Sequence, residues 1–354
     1  MTETLLFAGG YSWTETPERG ITVARIEGLS PGLSAPAGTA TEIVNPFHLL
    51  VAPSGRVLYV ASNVAHGTVH ALAIENGKLL PLSEVPAGDG PIHLCLHPSG
   101  GYLVVVNHDS GNFMTYQLGE DGRIIDQVQD VTHVQSVPGA GDPYAQAGPH
   151  PHMSVFDPSG ERMLIPDKGT DHVHVYRFDP LTGRSTPLSQ VYLGAGFGPR
   201  YLAAHPSWQY LYVIGEVQSL VKTCGYDPET GALWALDAVP TVPGDAEPGN
   251  APSGLAISPD ARFLYAANRG HDSIAIFAVR DGGARLEQAG WFQVGDPLTM
   301  FPWDLRFGST GQVLYVANQI AGAVLTYTVD PENGTLRPVG TALQVPGAAT
   351  VALA

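Results

Sequence analysis

Ala52-Pro53-Ser54-Gly55, His97-Pro98-Ser99-Gly100, Asp157-Pro158-Ser159-Gly160, His205-Pro206-Ser207-Trp208, Ser258-Pro259-Asp260-Ala261 and Gly308-Ser309-Thr310-Gly311 are six versions of one turn. A short apolar run follows each: Leu58-Tyr59-Val60, Leu103-Val104-Val105, Met163-Leu164-Ile165, Leu211-Tyr212-Val213, Leu264-Tyr265-Ala266 and Leu314-Tyr315-Val316. A seventh copy is split between the ends of the chain. Phe7-Ala8-Gly9-Gly10-Tyr11 reads as its second strand and Pro346 to Leu353 as its first. A repeat of roughly 45–60 residues built from short strands is the mark of a β-propeller.

Residues 252 to 290 show one repeat. Pro252 to Ser258 reads as an innermost strand, Phe263 to Asn268 as the second and Ser273 to Val279 as the third. Arg280-Asp281-Gly282-Gly283 is a hairpin connection and Leu286 to Val294 an outer strand. Helical periodicity is nearly absent. The expectation is an all-β, seven-bladed propeller of four-stranded antiparallel blades, one domain over residues 1–354. Pairing of the N- and C-terminal strands closes the ring and removes two open edges.

The 354 residues carry a formal charge of −16 and three lysines, Lys78, Lys168 and Lys222. Nucleic acid and anionic membrane surfaces are disfavoured partners for so acidic a chain. Cys95 and Cys224 lie in different repeats and read as buried thiols. No basic start followed by a long apolar run opens the chain, so a cytoplasmic location is expected. Gly9-Gly10 lacks the context of a phosphate loop, and Gly28-Leu29-Ser30-Pro31-Gly32, which spells GxSxG, has no helical pattern after it to make a nucleophile elbow. No cofactor is expected.

In a meander, the start of each first strand and the end of each second strand meet on one face, near the axis. The second-strand ends are Tyr11, Asn63, His108, Lys168, Glu216, Arg269 and Gln319. The first-strand starts are Phe47, Ile92, His152, Arg200, Ser253 and Trp303, with Gly347 for the closing copy. Charges of both signs converging at one mouth suggest a site for a small anionic substrate. Arg200 and Arg269 can hold a carboxylate or phosphate through paired N–H groups. His152 can act as a base or donor. Glu216 is either a base or an ionised partner that orients Arg200. His150 and His152 form a His-x-His, but no third metal ligand is fixed, and no metal is assigned. His97 and His205, before turn prolines, read as structural.

His150-Pro151-His152, Gly198-Pro199-Arg200, Gly215-Glu216 and Ala267-Asn268-Arg269-Gly270-His271-Asp272-Ser273-Ile274 occur in that order in successive blades. Together they resemble the seven-bladed propeller lactonase family. That family includes the bacterial propeller-type 6-phosphogluconolactonase and the fungal 3-carboxy-cis,cis-muconate lactonizing enzyme. The resemblance covers essentially the whole chain. It implies His152, Arg200, Glu216 and Arg269 as active-site residues, with His150, Lys168, His108, Asn268, Gln319 and Trp303 as candidate substrate contacts. Trp303 stands where phosphogluconolactonase-like sequences often have Pro-Arg-Gly, which puts a phosphorylated substrate in question. The leading expectation is a lactonase acting on a sugar lactone, with 6-phosphoglucono-1,5-lactone as a candidate. The alternatives are a carboxy-muconate cycloisomerase and a non-catalytic binding platform.

Overall fold

The computed structural model describes residues 4–14, 16–26, 33–134, 142–143, 145–246, 248–296, 298–340 and 342–354. Their strands pair into seven antiparallel sheets. Blade 1 joins Ala348–Leu353 to Thr4–Gly10, Arg19–Ile26 and Leu33–Val44. Blade 2 starts at Pro46–Val51, blade 3 at Pro91–Leu96, blade 4 with Val155–Phe156, blade 5 at Pro199–Ala204, blade 6 at Ala251–Ile257 and blade 7 at Pro302–Phe307. In blade 6 the strands run one residue beyond or before the expected limits, and the expected hairpin is a 3-10 turn over Asp281–Gly283. The terminal strands share a sheet, in the register Leu6 opposite Leu353 and Ala8 opposite Val351.

Each second strand is apolar on consecutive residues because both of its faces are covered. In blade 2, Leu58 and Val60 pack with Phe7 and Val23 of blade 1. Tyr59 and Ala61 pack with Leu103 and Tyr116 of blade 3. The same arrangement continues around the ring, one apolar cluster between each pair of neighbours, back to Tyr315 and Ala317 of blade 7 against Leu6 and Ala8 of blade 1. Strands buried on two faces lose the polar alternation of a half-exposed sheet. The tyrosines add a polar link. Tyr59, Tyr212 and Tyr265 donate to the carbonyls of Gly122, Gly283 and Gly334 in the following blades, at 2.8, 2.9 and 2.8 Å.

The first strands face the axis with one edge unpaired, which exposes backbone N–H groups that must find acceptors. The preceding blade supplies several. His48 Nδ1 accepts from Leu94 N–H at 3.2 Å, and His93 Nδ1 accepts from Ser154 N–H at 3.3 Å. Met153 Sδ takes Leu202 N–H at 3.3 Å, and Asp304 Oδ2 takes Val351 N–H at 3.0 Å. The last of these bonds ties blade 7 to the closing strand. Gly9 and Gly10 serve the same seam. A Cβ on either would lie 2.1 Å from the carbonyl oxygen of Pro46 or Pro346.

One irregularity recurs in every blade. Pro46 pairs with Ser62 and His48 with Ala61, so Phe47 is an extra residue in the first strand. Ile92, Arg200 and Trp303 are extra in the same way, and the register also slips across Ser253-Gly254. In blade 4 the slip falls between the Pro151–Asp167 bridge and the Val155–Leu164 pair, around His152. In blade 1 the extra residue is Ala349, because Gly10 pairs with Ala348 and Gly9 with Thr350. The closing position is therefore Ala349 and not the expected Gly347. A bulge re-aims a side chain that regular pairing would send to a sheet face. Proline precedes the bulge in six blades, where a missing N–H costs no ladder bond.

Removal of residues 346–354 takes away both the closing strand and the Val351 N–H that Asp304 holds. We expect loss of the cooperative unfolding transition of the whole ring, checked by calorimetry; a truncated protein with an unchanged Tm contradicts the closure. Stability is also expected to fall in acid. Burial, then the Arg306 and Arg200 charges, lower the pKa of His93 to about 3. Burial, then His93 and Arg306, push His48 well below the ordinary value. Below about pH 6.5 the unfolded chain takes up protons that these rings refuse, so stability drops by about 1.4 kcal/mol per pH unit for each independent ring. Urea midpoints between pH 8 and pH 5 measure this, and replacing His48 or His93 by Gln flattens the slope.

Candidate active site

The bulge residues and the second-strand ends meet at one mouth of the channel. The register is equivalent around the ring. Tyr11, Asn63, His108, Lys168, Glu216 and Gln319 each donate their N–H to the carbonyl two residues before a bulge, at 2.8–3.1 Å. Arg269 is placed the same way by its pairing with Ala251. A cavity of about 290 Å³ opens there. It is lined by Tyr11, Trp13, Phe47, Asn63, Ile92, His108, Asp109, His152, Lys168, Arg200, Glu216, Arg269 and Trp303.

Glu216 is the centre of the charged half. Lys168 Nζ donates to its Oε1 at 3.3 Å. Arg200 Nε lies 2.7 Å and Arg269 Nη2 2.9 Å from its Oε2. Neither guanidinium nitrogen makes an aligned hydrogen bond there, and Arg200 Nη1 is also buried without a partner. Arg269 Nε is spent on the Ala251 carbonyl at 2.9 Å. Burial alone would raise the pKa of Glu216, but Lys168, Arg269 and Arg200 outweigh it and hold the carboxyl far below its usual range. Glu216 is thus an ionised carboxylate paired with three cations. Burial, opposed by Glu216, brings Arg269 down to about 10, which leaves it charged at neutral pH.

His152 is 5% exposed and its Nδ1 has no hydrogen-bond partner. Burial first, then the charges of Arg200, His108 and Lys168, push its pKa well below 6.5, so the ring is neutral at pH 7. His108 stands edge-on to it at 5.5 Å between centroids and bonds Asp109 Oδ1 at 2.7 Å. Burial lowers His108 to about 4 against the opposing pull of Asp109.

The other half of the mouth is aromatic. Trp303 lies 5.7 Å from Phe47, 5.9 Å from Tyr11 and 5.8 Å from Trp13, which is 59% exposed. Arg269 stacks over Trp303 at 4.4 Å, and Arg200 lies 5.9 Å from the same ring. Trp303 therefore backs the two arginines as a cation–π wall.

Three expected contacts fall outside the cavity wall. Asn268 is fully buried, donates to Thr241 O and Ser273 Oγ at 2.7 and 3.1 Å, and accepts from Asn250 at 3.0 Å. It braces the turn and leaves no group for a substrate. Gln319 donates to the Tyr11 carbonyl at 2.8 Å and joins blades 7 and 1. His150 stacks behind His108 at 4.4 Å and bonds the His108 carbonyl at 2.9 Å. His97 and His205 bond the serines of their own turns at 2.7 and 2.8 Å.

Two aspartates that sequence reading passed over place the site loops. Asp171 accepts from Gly196 and Gly198 N–H at 2.8 Å each and so fixes the approach to Arg200. Asp272 accepts from Thr299, Met300 and Phe301 N–H at 2.8, 2.7 and 3.1 Å and fixes the approach to Trp303. Both sit at positive φ just before a third strand. An acid recurring at that turn is the signal that could have found them. Trp13 and Asp109 also line the mouth unforeseen.

The family model described as "Lactonase, 7-bladed beta-propeller" matches residues 6–353. A Bacillus subtilis protein named 6-phosphogluconolactonase is 27% identical over 350 residues, covering 98% of this chain and 97% of its own. A solved structure from Lactobacillus plantarum superposes with a TM-score of 0.90 at 26% identity, covering 100% of both chains. The periplasmic gluconolactonase of Pseudomonas aeruginosa gives 0.90 at 25% identity, covering 99% of both. With matched sequence over nearly its full length, the same blade count and the same fold, the chain belongs to the seven-bladed β-propeller lactonase family.

Proposed function

We propose that the protein hydrolyses an anionic sugar lactone at this mouth, with 6-phosphoglucono-1,5-lactone as the substrate of choice. The observation that carries the reading is the unbalanced charge at Glu216. Lys168, Arg200 and Arg269 outnumber Glu216 and the rim carboxylate Asp109, which leaves net positive charge and guanidinium N–H groups without aligned acceptors beside a neutral histidine. Buried charged donors without acceptors are costly, at about 1–3 kcal/mol each or more. A phosphate dianion supplies both the charge and the acceptors. Trp303 supports the arginines and does not replace them.

In the reaction, a water attacks the ring carbonyl and His152 accepts its proton. The carbonyl oxygen becomes an oxyanion, which the guanidinium N–H groups of Arg200 or Arg269 stabilise. The C–O bond to the ring oxygen then breaks, and that oxygen takes the proton from His152. The product is the open hydroxy acid. An anionic substrate offsets the Arg200 and Lys168 charges that add to burial in lowering His152, so its basicity rises on binding. Sugar lactones are reactive esters, so positioning and one base suffice without an added electrophile. Two free cysteines, Cys95 and Cys224, support a reducing, cytoplasmic setting. No helix among the described residues is long and apolar enough to cross a membrane.

The test is a panel of 6-phosphoglucono-1,5-lactone, glucono-1,5-lactone and a carboxymuconate in one buffer, with base uptake and diene absorbance recorded together. We expect base uptake with the phosphorylated lactone at least about tenfold above the unphosphorylated one in kcat/KM. Arg200→Ala and Arg269→Ala should each lower kcat/KM by about 10²-fold, with circular dichroism unchanged. Loss of the diene without base uptake selects the cycloisomerase instead, and activity on neither substrate class rejects catalysis.

A further inference from the structure

A second cluster lies outside the mouth, between blades 3 and 4. His133 follows the last strand of blade 3, Asp167 ends the second strand of blade 4, and His174 lies on its third strand. One ligand atom from each of the three falls within 4.8 Å of the others. We propose that these side chains bind a divalent transition-metal ion of the zinc class, two imidazole nitrogens and one carboxylate oxygen from the protein with water completing the shell. This departs from the expectation that the chain takes no metal.

The chemistry of the donors favours such an ion. Imidazole and carboxylate together suit zinc, and two or three protein ligands plus water is an accepted shell. His133 Nδ1 lies 2.6 Å from Asp167 Oδ2, with both side chains fully buried. A metal bound at His133 Nδ1 displaces the proton shared with Asp167 Oδ2 to Nε2, which is buried without a partner. The ligand atoms of a tetrahedral zinc site lie about 3.3 Å apart, so the atoms within 4.8 Å of one another have to close by up to about 1.5 Å. The His133 ring is packed among Phe113, Tyr176 and His174, so the closing movement falls to the partly exposed His174. His174 is held by a 3.2 Å contact from Thr170 Oγ1, and its ring lies 4.4 Å from that of His133.

Asp167 is already oriented as a ligand. Its Oδ1 accepts the N–H groups of His150, Gly169 and Thr170 at 2.8, 2.9 and 3.1 Å, which leaves Oδ2 facing the histidines. Hydrogen bonds of this kind fix a ligating carboxylate. A cavity of about 460 Å³ lined in part by His133, His174 and Gln190 lies beside the cluster, with Asp167 buried behind its wall. The same Asp167 positions the backbone of His150, two residues before His152, so an ion here would stiffen the segment that carries the neutral histidine of the mouth.

The experiment titrates chelator-treated full-length protein with Zn²⁺ and with Co²⁺ near pH 7.5. Equilibrium dialysis and thermal unfolding are followed together. We expect one equivalent bound, a raised Tm, and a tetrahedral Co²⁺ spectrum. His174→Gln, at a partly exposed position, removes a ligand and should weaken binding by at least about 100-fold, beyond the usual cost of losing a group behind a ligand, and keep the Tm of the metal-free parent, even if His133→Gln fails to fold. Binding absent in the parent overturns the proposal, as does binding unchanged in His174→Gln. Binding lost in His152→Gln but kept in His174→Gln also overturns it, because the ion then belongs to the mouth.

Discussion

One extra residue at the head of each inner strand governs how this molecule presents chemistry. Without the bulge, the side chain after each proline would lie against a neighbouring blade, in the layer that Leu49 and Leu94 occupy. With it, Phe47, Ile92, His152, Arg200 and Trp303 turn toward the axis. The proline supports the distortion because it has no N–H to lose. The ring repeats the geometry and the sequence varies the occupant. One half of the mouth thereby becomes aromatic and the other charged on a nearly symmetric frame.

The charged half depends on Glu216. Buried arginines without a carboxylate would repel one another and resist burial. A single acid shared by Lys168, Arg200 and Arg269 keeps all three at the mouth while leaving net positive charge. Burial first, and then the same cations, keep His152 neutral and therefore able to accept a proton. Asp171 and Asp272 serve the mouth from a distance by fixing the loops that enter blades 5 and 7.

The fold was legible because a strand buried on both faces must be apolar at consecutive positions, as Leu58-Tyr59-Val60 and Leu314-Tyr315-Val316 are. The mouth was legible because blade topology places Glu216 and Arg269 at equivalent ends. Strand pairing was not legible in the same way: a bulge is a property of two strands together, so Gly347 stood in for Ala349. Asn268 misled for a related reason. It sits beside Arg269 in the most specific string of the family resemblance, yet its amide is consumed by Thr241, Ser273 and Asn250. Much of that string builds the turn, and Arg269 is its member at the mouth. His133, Asp167 and His174 come together only through packing between blades.

The assignment of His152 as base and Glu216 as ionic anchor is tested most directly by the pH dependence of kcat/KM in Glu216→Gln, beside His152→Gln, on a lactone without a titrating group. The account predicts that Glu216→Gln retains measurable turnover with an acid limb still governed by one neutral imidazole, while His152→Gln falls to the solvent rate at every pH. A Glu216→Gln enzyme without turnover, beside a His152→Gln enzyme that keeps an acid limb in the carboxylate range, would contradict it.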